Sequence, residues 1–350
     1  MKILYFMHVD WHWIKQRPHF IVEGLAKLGH HIDVFYPFAR NRKAMTNNIV
    51  QNENISLYKY YRMPYKFRNI KVLSKLSAFL IREQQPRNDY DLIILTYPEQ
   101  IKLIPHGFSG KIIYDCMDDH SEFEGVDRES ILKDEQELCS HTNIVIASSD
   151  NLRVKMCERY REVENKIVVI RNGLSTKLNI EDICESKPFN NKIAYLGTIS
   201  EWIDFDSIIY LLEKNKSIEI DLIGPTTIPI VYHERLHFLG PVDHDKLRSI
   251  METYGTYIMP FKVNRLIESV DPVKLYEYIY FGGSIISCHY KEIERFSNYV
   301  NFYRDQHSLQ ELANRLDRVT APSMESRATF LKMNTWDARV TSMDKIIREL

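Results

Sequence analysis

Lys274 and Glu277 stand three residues apart in the segment Asp271-Pro272-Val273-Lys274-Leu275-Tyr276-Glu277-Tyr278, and their types suit the two ends of a ribosyl phosphate. Pro272 has the fixed φ that suits a first helical turn, and Asp271 before it is a good N-cap. Gly282-Gly283 supplies a stop, so a short helix is predicted between them, with Lys274 and Glu277 on one face. A helix start offers backbone N–H groups and a partial positive charge to a phosphate. Pro272 and Val273 open that turn, Lys274 adds a cation, and Glu277, one turn deeper, can accept hydrogen bonds from a ribose. The same spacing equally suits a plain i,i+3 ion pair on a helix surface. Both readings stay open at this level.

A second group is Asp118-Asp119-His120, directly after the predicted strand Lys111–Tyr114. Adjacent carboxylates raise one another's pKa, and one of the two can then serve as a general base. Capping and loop hydrogen bonds are the competing use. Asp10, at the end of the first predicted strand, is the other candidate base. Asp204-Phe205-Asp206 matches a metal-binding D-x-D pattern, yet it fits a helix N-cap with a first-turn acid better, and no metal is expected.

These groups need elements to hold them. Ile3–Met7, Ile32–Tyr36, Leu92–Thr96, Lys111–Tyr114, Ile144–Ala147 and Lys166–Ile170 are short apolar runs predicted as strands. Pro18–Leu28, Ile131–Ser140 and Asn151–Tyr160 are predicted as helices between them. After the loop-like Ser186–Asn191 the alternation restarts. Strands are predicted at Lys192–Leu196, Ile218–Ile223, His237–Leu239, Tyr257–Met259 and Ser284–Ser287, and helices at Phe205–Glu213, Asp245–Met251 and Val273–Phe281. Such alternation implies βαβ units and parallel sheets. The expected division is 1–175, 176–333 and a closing amphipathic helix in 334–350, capped by Asn334 or Thr335 and packing back toward the first domain. Two doubly wound domains facing a central cleft would place a ligand outside the carboxyl ends of the strands.

A length of 350 residues allows two cores, and a formal net charge of −1 argues against a dedicated nucleic-acid binder. Five scattered cysteines without a C-x-x-C suggest neither a disulfide framework nor a zinc site, and a cytoplasmic location is expected. The start is too short an apolar run for a signal peptide, and no run reaches transmembrane length. One segment departs from neutrality. Residues 59–87 hold Lys59, Arg62, Lys66, Arg68, Lys71, Lys75, Arg82 and Arg87 against Glu83 alone, with Tyr60, Tyr61, Tyr65, Phe67 and Phe79 interleaved. Such a patch suits anionic lipid headgroups, with aromatic rings at the interface, or is a solvated face. A peripheral contact with the inner face of the plasma membrane is the expectation.

Taken in order, Asp10-Trp11-His12-Trp13, Gln16-Arg17-Pro18-His19, Tyr114–Asp119, Val145–Ser149 with Leu152, Arg171-Asn172-Gly173, Tyr195–Ile199, Pro260-Phe261-Lys262 with Asn264, and Asp271–Tyr278 resemble a known family. The chain resembles GT-B glycosyltransferases, most similar to family-4-type enzymes of bacterial envelope polysaccharide synthesis such as those of teichuronic acid and capsule. The resemblance implies two Rossmann-like domains and sugar transfer from a nucleotide sugar, expected to be UDP-linked, to a glycan or lipid-linked acceptor, without a metal cofactor. It places the donor in the C-terminal domain, on Glu277 at the ribose. Lys274 and Lys262 are the expected cations at the diphosphate, and Gly197, Thr198 and Gly224 would line a backbone pocket. The acceptor would lie near Asp10 and Asp118 or Asp119. Trp11 and Trp13 would stack on a sugar ring or simply pack, and Arg17 would meet an anionic acceptor group or pair with an acid. The chain departs from the family in two ways. The first of two Glu separated by seven intervening residues falls on Ser269, with Glu268 and Asp271 nearby, and the usual Arg/Lys pair after Gly197 is absent. A nucleotide-sugar 2-epimerase of the same fold, or a non-catalytic partner subunit, is the alternative.

Overall fold

Short apolar runs punctuated by polar residues and glycine fold here into two parallel sheets. The computed structural model describes residues 1–38, 52–61, 71–86, 88–242 and 244–350, and for 71–76 and 244–245 the backbone only. The chain divides into two compact units, Met1–Arg171 with Arg339–Leu350, and Asn172–Ala338.

The first unit contains β1 (Lys2–Phe6), β2 (His31–Phe38), β3 (Ile55–Tyr61), β4 (Leu92–Leu95), β5 (Lys111–Cys116), β6 (Ile144–Ala147) and β7 (Ile167–Val169). They pair in the order β3-β2-β1-β4-β5-β6-β7, each pair parallel. Ile3 to Phe6 and Ile93 to Leu95 are fully buried, the unbroken apolar pattern of strands covered on both faces. The crossovers carry α1 (Arg17–Lys27), α2 (Lys71–Arg82), α3 (Arg128–His141) and α4 (Asp150–Arg159). Local chemistry starts two of these helices. Asp127 accepts from the Ser130 N–H before α3, and Ser149 from the Leu152 N–H before α4. The strand β3 is absent from the sequence-level expectation because only Ile55 and Tyr60 of its residues are buried, so no continuous apolar run marks it.

The second unit contains β8 (Lys192–Leu196), β9 (Glu219–Ile223), β10 (Leu236–Gly240), β11 (Thr256–Met259), β12 (Ser284–Cys288) and β13 (Asn301–Tyr303), ordered β10-β9-β8-β11-β12-β13 and parallel throughout. Its helices are α5 (Phe205–Lys214), α6 (His244–Met251), α7 (Val273–Phe281), α8 (Gln306–Ala313) and α9 (Met324–Lys332). Asp204 caps α5 through the Ser207 N–H at 3.2 Å, which is the use expected for the Asp204–Asp206 pattern. Gly282 ends α7 in the left-handed region, φ 82°, where a glycine carries no steric penalty.

The last helix, α10 (Trp336–Glu349), is capped by Thr335, whose Oγ1 accepts from the Ala338 N–H at 3.1 Å. Its residues from Arg339 onward belong to the first unit. Asp344 bonds the buried His30 ring at 2.6 Å, and Val340 occupies the space over Gly24, where any Cβ would come within 2.4 Å of it.

Candidate functional site

In each sheet the strand order reverses at one place, and that is where an open parallel sheet forms a crevice at its carboxyl edge. In the second unit the reversal lies between β8 and β11. The chain leaves β8 through Gly197-Thr198, β9 through Gly224-Pro225, and β11 through Pro260-Phe261-Lys262. Gly197 and Gly224 have φ of 151° and 146°, a region closed to other residues. A Cβ on Gly224 would sit 2.0 Å from the Gly197 carbonyl oxygen, so the two turns lie directly on each other. A Cβ on Gly197 would lie 3.4 Å from Cε of Lys274. The first turn of α7 thus reaches over these glycines, and Gly197, Gly224 and Lys274 share one place. The Thr198 carbonyl is fixed by the Tyr195 hydroxyl at 3.0 Å. Lys274 Nζ donates to Glu277 Oε2 at 2.9 Å, with Lys274 partly exposed and Glu277 buried. The ion pair that the spacing suits is present, and its carboxylate lies inward rather than on an open helix surface. Lys262 is exposed after β11, its N–H held by the Trp202 carbonyl at 2.8 Å.

Asp271 does not cap α7. The helix starts at Val273 with Pro272 in the cap position and no side-chain cap bond. Asp271 is buried and accepts instead from the Asn172 N–H at 2.7 Å, from the Tyr276 hydroxyl at 3.1 Å and from Arg295. A buried carboxylate needs a cation more than it needs one helix N–H, which explains the choice. Ser269 is buried and Glu268 exposed, so the buried carboxylate in this stretch is the one engaged with Arg295.

In the first unit the reversal lies between β1 and β4. Asp10 and Trp13 are half-buried in the loop after β1, and Asp10 Oδ1 accepts from the His12 N–H at 2.9 Å. Three expectations are corrected here. Trp11 is 1% exposed and packs on His19 at 5.1 Å, so no ring face is open to a sugar. Arg17 is buried, and its guanidinium donates to both Asp115 oxygens at 2.8 to 3.1 Å and to the Ile170 carbonyl at 2.8 Å. It is a structural cation rather than an acceptor contact. Asp119 is clasped by Arg159 through two bonds of 2.8 and 2.7 Å and receives the Ser121 hydroxyl at 2.9 Å. Burial alone would raise its pKa, yet the bonds and charge of Arg159 hold it below the usual carboxylate range, which makes Asp119 a poor base.

Asp118 behaves oppositely. Burial lifts its pKa to about 7, Arg17 pulling it down in part and Asp119 adding to the rise. The folded protein therefore keeps a proton there that the unfolded chain, near 3.8, has already lost. Stability is expected to fall as pH rises from about 4 to about 7 and then level off, and Asp118→Asn to remove that component. Thermal unfolding followed across this range checks it; parallel profiles for parent and variant would contradict the assignment.

The same edge adds side chains that the sequence left unassigned. His8, Thr96 and Tyr97, after β1 and β4, join His120 of the Asp118–His120 group after β5. His8 Nδ1 lies 2.9 Å from Thr96 Oγ1, its ring stacks on Tyr97 at 6.1 Å, and His120 meets Tyr97 edge-on at 4.8 Å and His8 at 5.8 Å. Burial pushes the His120 imidazole down to about 4, so it is neutral. The available signal was that each residue closely follows a buried apolar strand.

The basic segment is described in part. Tyr61, Phe79 and Leu80 are 51%, 56% and 50% exposed, and Lys59 lies over the Phe38 ring at 5.1 Å. Arg82 bonds His106 and the Lys102 carbonyl. Arg62, Tyr65, Lys66, Phe67, Arg68 and Arg87, and the side chains of Lys71 and Lys75, lie outside the described residues. Among the described residues, no helix is long and apolar enough to cross a membrane.

Comparison with solved structures shows the fold. Sucrose-phosphate synthase from Thermosynechococcus elongatus is similar with a TM-score of 0.74 at 12% identity, over 99% of this chain and 98% of that one. HepE of Anabaena, solved with UDP, is similar with a TM-score of 0.67 at 15% identity over 100% of both chains. The lipopolysaccharide outer core galactosyltransferase WaaB gives 0.66 at 12% identity, again over 100% of both. The chain has the GT-B fold, built of two doubly wound α/β units. No family model and no curated protein matches the sequence.

Proposed function

We propose that this chain is a glycosyltransferase that moves a sugar from a UDP-linked nucleotide sugar to a glycan or lipid-linked acceptor in bacterial envelope polysaccharide synthesis, as a family-4-like enzyme. The observation that carries the reading is the Lys274–Glu277 pair on the first turn of α7, set over Gly197 at the strand reversal of the second unit. Glycines without side chains let a diphosphate approach the backbone, the start of α7 and Lys274 with Lys262 meet its charge, and Glu277 holds the ribose. On this reading charge on the leaving diphosphate is neutralised without a metal. The fold is shared with HepE, solved with UDP and with UDP-glucose, and with a galactosyltransferase, which supports the donor class. Asp10, Asp118 and Trp13 are the acceptor-side groups. The exposed rings of Tyr61 and Phe79, in a segment of net positive charge, favour contact with the anionic inner face of the plasma membrane in the cytoplasm.

A panel of UDP-, GDP- and dTDP-sugars tests the reading. Saturable binding with slow donor hydrolysis, or transfer to an added glycan, is expected with a UDP-sugar. An isomerised donor would convert the reading to an epimerase, and no binding of any nucleotide would overturn it.

A further inference from the structure

Asp271-Pro272 is the dipeptide that should cap α7, an acceptor side chain followed by a residue with a helical φ, yet the helix does not use it. Pro272 stands in the cap position at φ −81° and ψ 115°, with no side-chain acceptor to offer. The Leu275 N–H turns back to the Pro272 carbonyl at 3.2 Å. The first N–H groups of a helix have no partner within it, and together they carry roughly half a positive charge. A carboxylate just upstream is the natural group to meet them. The Asp271 carboxylate, 2% exposed, is held elsewhere. Its Oδ2 accepts from the Asn172 N–H at 2.7 Å and from the Tyr276 hydroxyl at 3.1 Å, and its Oδ1 accepts from Arg295. Asn172 grips the residue a second time, its Nδ2 donating to the Asp271 carbonyl at 2.7 Å. Arg295 also donates to the Tyr276 hydroxyl, whose single proton then goes to Asp271.

Arg295 is itself fixed in place. Its guanidinium lies 4.0 Å from the Phe296 ring centroid and 5.2 Å from that of Tyr276, a seat between aromatic faces. The local preference of Asp271 is thus overridden by a cation from 24 residues downstream, and such conflicts between local and tertiary preference gather at functional sites. The consequence falls on the start of α7. With Asp271 as cap, a negative charge would occupy the first-turn N–H groups, and a second anion arriving there would be repelled. With Asp271 withdrawn, the helix start below Lys274 and beside Gly197 carries no carboxylate cap. Resting on the donor reading above, we infer that Arg295 is a positioning residue of the donor site: it draws the Asp271 carboxylate off the N-terminus of α7, so that the diphosphate takes the place of the cap. Arg295 acts through Asp271 and needs no contact with the substrate.

Calorimetry with UDP and with uridine separates an effect on phosphate from a general loss of structure. Arg295→Met returns the carboxylate to the helix start and should weaken UDP about tenfold, the scale of one helix cap, with uridine unchanged. Arg295→Met combined with Asp271→Ala removes the competing acceptor and should restore the parent's affinity for UDP. An Arg295 that only held the fold together would give the opposite order, because the second substitution deletes further bonds, those from Asn172 and Tyr276. Arg295→Lys keeps the cation and should bind UDP as the parent does. A crystal structure of Arg295→Met should show the Asp271 carboxylate on the Val273 or Lys274 N–H. Where Arg295→Met does not fold, Arg295→Gln, equally uncharged, must give the same pattern. Parent-like UDP affinity in the uncharged variant, equal losses for uridine and UDP, or a double variant no better than the single would overturn the assignment. Failure of the parent to bind UDP would strike the donor reading itself, and this inference with it.

Discussion

Glu277→Ala, still folded, is expected to bind UDP about ten- to a hundredfold more weakly than the parent, the worth of hydrogen bonds to a charged group. Glu277 is 7% exposed, and its position on α7 is held by packing on both sides, since Tyr276 and Tyr278 are fully buried. Its described partner is Lys274, whose side chain is 31% exposed and can rehydrate when the carboxylate goes. Stability should therefore change by no more than about 1 kcal/mol, as for other partly exposed pairs. Binding and folding are separable in this variant. Lys274→Ala should weaken UDP similarly by removing the cation over Gly197. Titration calorimetry with UDP decides the matter, and parent-like affinity in both variants would remove the donor pocket from α7.

The second large effect is on the fold. Arg17→Leu should destabilise the protein by about 3–5 kcal/mol, because it strands the Asp115 charge in the core. Asp115 is 0% exposed, and the described bonds to its carboxylate come from Arg17 at 2.8 to 3.1 Å. The same change also leaves the Ile170 carbonyl without its guanidinium donor. Arg17→Leu combined with Asp115→Leu should recover part of the loss, since two apolar residues replace a buried ion pair at little net cost. Urea unfolding measures both. Had Arg17 faced solvent and an anionic acceptor, its loss would cost within about 0.5 kcal/mol and act on acceptor binding instead.

The contrast between these two residues shows where the linear reading held and where it gave out. Lys274 and Glu277 lie within one turn of one helix, and helical spacing alone puts them together. The strands were legible for a similar reason. Ile3–Phe6, Val145–Ala147 and Ser284–Cys288 are buried on both faces, so their composition declares them, and alternation with amphipathic helices dictates parallel pairing. The edge strand Ile55–Tyr61, mostly uncovered, carries no such mark.

What the sequence by itself determined, then, was everything set by neighbours in the chain: the alternating elements, the two parallel sheets, the glycine turns and the cation–carboxylate face of α7. Tertiary structure decided which polar groups were spent on each other. Arg17 found Asp115 across 98 residues, Arg159 took Asp119 across 40, and His8 met Thr96 across 88. Each pairing follows from the order in which strands lie side by side, and each is enforced by the cost of leaving a charge or a polar group unmet in a low-dielectric interior. Local periodicity carries neither piece of information, so candidates alike on paper, Asp118 and Asp119 above all, part only when the sheet is assembled.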